Sequence, residues 1–233
     1  MKTLRTYVIA ALAATSAASS AAIVANGSFE TGLAYPGGPN IFSAGTPTPW
    51  VATSYTPDMY DNTGADGWGL GGVPAYQNMF ANTAAYQGHR FLGFAVSTAM
   101  NFYEAFGQNV SGLSQGSTYT LQAALITDTH AQILQYGGPY SGFGMVGVYF
   151  NNALVGTLAP NSQALTWQSR SFTFVAPASS GFLEFRAQAN PNDPVLQGSY
   201  MGIDGIEVVP EPASFAALGL GVVALLRRKF RSA

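Results

Sequence analysis

The residues of this chain that could do chemistry are few, and most are acids and aromatics. In the run Phe102-Tyr103-Glu104-Ala105-Phe106 the two-residue period of a strand would set Phe102, Glu104 and Phe106 on one face. Arg186, with Asn190 close behind it, is one of only three cations between positions 23 and 208. Flat aromatic faces with a few orienting polar groups are what a sugar-binding surface requires. Trp68, Tyr76, Tyr136 and Tyr140 lie in Gly-rich surroundings and are alternative stacking platforms. The same residues also fit a structural role, with Phe102 and Phe106 in a core and Glu104–Arg186 as an ion pair between sheets.

Catalytic patterns are weak. Gly112-Leu113-Ser114-Gln115-Gly116 matches G-x-S-x-G, but a nucleophile elbow needs a strand before the serine and a helix after it. Here a β-rich run follows, so the glycines indicate a turn. The only histidines are His89 and His130; His130 has Asp128 nearby, but no hydroxyl partner is evident. No carboxylate pair is placed for glycoside hydrolysis. Asp58, Asp61 and Asp66 cluster in a Gly-rich stretch whose spacing does not fit an EF-hand, which predicts a solvated loop. The expectation is a protein without catalytic activity.

Charge limits the partners. Hydrophobic residues make up 48% of the chain and charged residues only 9%. Between positions 23 and 208, Arg90, Arg170 and Arg186 stand against ten acids, a net charge of −7. Nucleic acid is excluded as a partner, because phosphate binding needs clustered Lys or Arg. There is no cysteine, which removes disulfides and thiolate sites.

Six of the nine basic residues lie at the ends, and both ends read as addresses. Residues 1–22 have a basic start (Lys2, Arg5), an apolar run from Val8 to Ala14 and small residues at Ser20-Ala21-Ala22, the order of a secretory signal peptide. At the other end, residues 209–233, stand Pro210-Glu211-Pro212, an uncharged stretch 213–226 and a basic end, Arg227-Arg228-Lys229-Phe230-Arg231. As a helix, 213–226 would reach roughly 21 Å, short of a hydrocarbon core of about 30 Å. The basic cluster would hold its end at the cytoplasmic face. This order closely resembles the PEP-CTERM sorting signal. The resemblance implies an exopolysaccharide-producing Gram-negative bacterium and an exosortase-type enzyme that removes the tail. It also implies transient contact of the helix with the inner membrane, then residence at the cell surface or in the biofilm matrix. A plain membrane anchor is the alternative.

Residues 23–208 read as strands. The β-rich runs are Thr118 to Ile126, Met145 to Phe150, Arg170 to Val175, Phe182 to Ala187 and Tyr200 to Val208, separated by turn signals such as Asn151-Asn152 and Pro177 to Gly181. Asn151-Asn152 predicts a tight hairpin. The stretch from Tyr35 to Gly88, rich in Gly, Pro, Asn and aromatics, predicts long loops. The expected fold is all-β, an antiparallel β-sandwich of jelly-roll type with a short C-terminal hydrophobic helix.

Five patterns occur in a familiar order: Asn26-Gly27-Ser28-Phe29-Glu30 with Trp50, Gln87 to Leu92, Val110 to Leu121, Trp167-Gln168 before Phe172-Thr173-Phe174, and Ile203 to Val208. Together they resemble the jelly-roll carbohydrate-binding modules attached to xylanases, within the galactose-binding-like group. The resemblance implies a structural calcium ion tying the first and last strands. Glu30 and Asp204 would be its carboxylate ligands, Ser28 and Arg90 would supply carbonyls, and Gln87, standing where an acid is common, would supply a side-chain oxygen; the alternative is that the two acids cap turns without a metal. It also implies that Phe102, Glu104, Arg186 and Asn190 line a cleft for carbohydrate. Sugar binding in an extracellular polysaccharide matrix is the expected function; a structural or adhesive surface protein with protein partners is the alternative.

Overall fold

A computed structural model describes residues 22–32, 46–55, 57–61, 80, 83–98, 101–127, 144–162, 165–191 and 198–211. Eleven strands follow in order: β1 (Val51–Ser54), β2 (Asp58–Asp61), β3 (Arg90–Ser97), β4 (Phe102–Tyr103), β5 (Ala105–Ser111), β6 (Thr118–Thr127), β7 (Met145–Phe150), β8 (Ala153–Leu158), β9 (Gln168–Val175), β10 (Ser180–Gln188) and β11 (Gly198–Pro210). They form two antiparallel sheets, one of five strands in the order β1-β5-β10-β7-β8 and one of six in the order β2-β3-β11-β6-β9, with β4 paired to β3. Among the described residues no helix is long and apolar enough to cross a membrane. The expected helix 213–226 and the signal segment 1–21 lie outside the described residues.

Alternation along the strands makes the core. In β10, Leu183, Phe185 and Ala187 are buried between the sheets, while Glu184 and Arg186 stand on the other side. The centre is an aromatic pile in which Trp50 contacts Phe29, Phe106 and Phe185 at centroid distances of 5.5, 5.3 and 5.8 Å. Phe29 comes from the Asn-Gly-Ser-Phe-Glu pattern. Asn26 adopts a left-handed turn (φ 51), accepts from Thr31 N through Oδ1, and receives the Trp50 indole N–H on its carbonyl at 2.8 Å. Phe172 lies against Gly156, joining β9 to β8 across the sandwich.

The Asn151-Asn152 turn is a two-residue hairpin: both residues have positive φ (47 and 66), and Phe150 faces Ala153. The stretch expected to be all loop between Tyr35 and Gly88 instead contains β1 and β2. Both are four-residue strands, too short for period-two alternation to stand out.

A second apolar cluster, Tyr60, Phe80, Phe91, Ala95, Ile126 and Tyr200, lies on the outer side of the six-stranded sheet. Trp167 closes against it, 5.2 Å from Phe91, and donates its indole N–H to Ala84 O at 2.7 Å. The outer side of the five-stranded sheet carries polar side chains, Glu184, Arg186 and Gln188, beside Tyr149 and the exposed Leu154. The two faces of the sandwich therefore differ in kind.

Candidate ligand-binding face and two acid sites

On the polar face, the Arg186 guanidinium carbon sits 3.9 Å from the centroid of the Tyr149 ring on neighbouring β7. Nε and Nη2 both donate to Glu184 Oε2, at 2.9 and 2.6 Å, and Nη2 also donates to Asn152 Oδ1 at 2.5 Å. Glu184 Oε1 accepts from Thr53 Oγ1 on β1 at 2.5 Å, and Gln188 Nε2 donates to Tyr149 Oη at 2.6 Å. These contacts join four of the sheet's strands or turns into one fixed polar and aromatic plate. Tyr103, 42% exposed, lies close enough to act electrostatically on Arg186, and Tyr55 is more exposed still. Glu184, Tyr149 and Thr53 were not evident from sequence. Glu184 could have been found two residues from Arg186 on the same strand face; Tyr149 needed the strand register.

Glu104 is not the partner of Arg186, and Phe102, Glu104 and Phe106 do not share a strand face. The chain changes sheets at Glu104, after β4 in one and before β5 in the other. Phe102 packs on the second cluster and against Tyr55 at 5.3 Å, whereas Phe106 is fully buried between the sheets. Glu104 is buried; its Oε2 accepts from Ala95 N at 2.6 Å while its own N donates to Ala95 O at 2.8 Å. Its side chain thus completes a β-rung beside β4. Asn190 is buried just beyond β10.

Asp58 is not in a solvated loop. It opens β2 opposite Gly93 and is 3% exposed. Tyr200 Oη donates to Asp58 Oδ2 at 2.6 Å and lies 3.0 Å from Tyr60 Oη; Oδ1 has no hydrogen-bond partner among the described residues. Burial pushes the Asp58 carboxyl up to about 8 against the pull of the Tyr200 hydrogen bond. Burial also raises Glu104, and the charge of Asp58 adds to it.

Glu30 and Asp204 meet on the loop before β3. Glu30 Oε1 accepts from His89 N and Arg90 N at 2.7 and 2.8 Å. Asp204 Oδ2 accepts from Gln87 N at 2.8 Å and Oδ1 from Gly205 N at 2.6 Å. Asp204 stands at a bulge of β11, where Gly205 has φ 61 and Ile206 N donates to Gly27 O at 3.0 Å. Burial, with a smaller contribution from Glu30, raises Asp204 to about 7. The structure therefore brings Glu30, Gln87, Arg90 and Asp204 together, with Gln87 and Arg90 presenting backbone amides; Ser28 is half-buried in the same turn. Among the described residues no three His, Cys, Asp or Glu side chains converge for a metal. Two hard carboxylates suit calcium in kind, and the rest of its shell would have to be carbonyl and amide oxygens.

The G-x-S-x-G residues form the β5–β6 turn, with Gly112 and Gly116 at φ 86 and 81 and no helix after Ser114. Pro210 is the last residue of β11, and Glu211 follows it on the sheet. Trp68, Tyr76, Tyr136, Tyr140, Asp66, Asp128, His130 and Pro212 lie outside the described residues.

Residues 208–231 match the PEP-CTERM protein-sorting motif. The motif marks the chain for export and sorting to the cell surface or extracellular space, and implies an exosortase-type processing partner. No curated protein matches the chain. Among solved structures, a Stig cyclase from Fischerella sp. TAU is similar at 18% identity and a TM-score of 0.51, covering 82% of this chain and 97% of its own. The TmCBM61 module in complex with β-1,4-galactotriose is similar at 13% identity and 0.45, covering 82% and 100%. A CBM4 module follows at 15% and 0.40, covering 81% and 99%. The cyclase likeness is one of fold.

Proposed function

We propose that this is an exported, non-catalytic protein with a sandwich of jelly-roll type. It binds carbohydrate, as exopolysaccharide, on the outer face of its five-stranded sheet. The observation that carries this reading is the plate around Arg186. The guanidinium is held over Tyr149 by Glu184 and Asn152, and its Nη1 donates to no acceptor among the described residues. Two fixed N–H donors beside tyrosine rings match what a sugar presents, hydroxyls at the rim and a C–H face for stacking. Because the geometry is already set, little side-chain freedom is lost on binding. The carbohydrate-binding modules similar in structure are named for that activity.

Calcium belongs to the same reading, with Glu30 and Asp204 as its carboxylate ligands. The support is the convergence of two acids on one loop that ties the first turn to β11. A glycan-array screen of the protein, with Arg186→Ala alongside, tests the reading. Binding lost in the variant supports it; absence of binding to any glycan leaves the adhesive alternative in its place.

A further inference from the structure

Strand β11 runs on into the sorting motif. Val208, Val209 and Pro210, the first residues of the match at 208–231, pair with Leu121, Thr120 and Tyr119 of β6. Glu211 N then donates to Thr118 O at 3.1 Å, and Thr120 Oγ1 donates to Glu211 Oε1. Two of the three residues of Pro210-Glu211-Pro212 are thus part of the folded sheet. Their hold is one-sided: β3 pairs β11 only over 198–203, so 207–210 are laddered to β6 alone.

We propose that this end of β11 is a clasp that the sorting enzyme must find open, an inference that rests on the sorting reading of the tail. Enzymes that cut or transfer a peptide grip it as an extended strand through its backbone N–H and C=O groups. Where those groups already pair with β6, the segment cannot be gripped. The last rungs must fray first, and a strand end held on one side is where local opening costs least. Thr120 and Thr118, outside the motif, therefore set how often the enzyme sees Pro-Glu-Pro. The tail is removed from molecules whose β11 end is open, while the rest of the sandwich stays folded.

The test is a pulse–chase of tail removal from the full-length chain in a host carrying the sorting enzyme. Thr120→Val removes the hydroxyl donor and leaves the triplet intact. Tail removal should quicken roughly tenfold or more, the change in open population that loss of one hydrogen bond to a carboxylate brings. Thr173→Val, on β9 directly opposite Thr120, is the control and should match wild type. The pair Val209→Cys with Thr120→Cys, facing each other in a chain that has no cysteine, should lock the clasp when oxidised and release it on reduction. A Thr120→Val rate equal to wild type, or tail loss from the oxidised pair, overturns the clasp and leaves the sorting reading standing. A wild-type chain that never loses its tail overturns both.

Discussion

The hydroxyl of Tyr200 reaches across β3 to Asp58 Oδ2, 2.6 Å away, and it does so over Gly93. Tyr200 pairs with Ala95, and Asp58 with Gly93, so the phenol runs diagonally over the strand between them. A carboxyl buried beside Tyr60, Tyr200 and Glu104, with one oxygen unpartnered among the described residues, keeps its proton at neutral pH.

Stability should therefore fall as pH rises. The folded state holds a proton on Asp58 up to about pH 8, whereas the unfolded chain releases it near pH 4. The contribution is complete below the unfolded value, drains away between the two and is gone above pH 8. Asp58→Asn keeps an acceptor for Tyr200 without a titrating proton. Its melting temperature should fall less from pH 5 to 8, and at pH 8 it should melt at least about 2 °C above wild type. Parallel melting curves for the two proteins across this range would refute the assignment.

Gly93 should admit no side chain. A Cβ there would lie 2.5 Å from both Tyr200 Oη and Tyr60 Cε2. Gly93→Ala must displace a tyrosine, costing about 1–3 kcal/mol by overpacking. Chemical denaturation reads the loss. Stability equal to wild type would show that the rings move aside freely.

Arg186→Ala should weaken glycan binding by about tenfold or more, the worth of one charge-assisted hydrogen bond. The far-ultraviolet spectrum of the sandwich should not change, because Leu183, Phe185 and Ala187 on the opposite face of β10 are untouched. Titration calorimetry with a glycan found on the array decides it, and full affinity in the variant rules out the Arg186 plate.

Removing calcium should lower the melting temperature, since an ion bound only by the folded state adds about 2.7 kcal/mol at a hundredfold excess over its Kd. Asp204→Ala should abolish the response to chelator. A wild-type curve that ignores chelator means that Glu30 and Asp204 serve only the amides of residues 87, 89, 90 and 205.

Much of this was legible in the sequence, and the gaps have physical causes. Met145 to Phe150 was read with its observed bounds, because the Asn151-Asn152 turn ends it sharply. Arg186 stood out by its rarity and by the resemblance to carbohydrate-binding modules. Its plate did not, because Tyr149 and Thr53 reach it from other strands, and cross-strand neighbours depend on register. Glu104 misled for a different reason. A period of two persists through a change of sheet, so alternation cannot reveal that Phe102 and Phe106 pack in different clusters. Asp58 was hidden because β2 is short and its burial comes from residues more than thirty positions away, on β3 and β11.

The central place of β11 has a mechanical consequence. It is the middle strand of its sheet, with β3 on one side and β6 on the other, and the sorting tail continues directly from its end. While the tail is held, tension on the protein enters along the axis of that strand and not at an edge of the sandwich. Load carried along a strand must shear many rungs at once, whereas load at an edge peels them one at a time. A molecule tethered this way meets drag first at the rungs past Asp204, which pair with β6 alone, and then at 201–203, which pair with both β3 and β6.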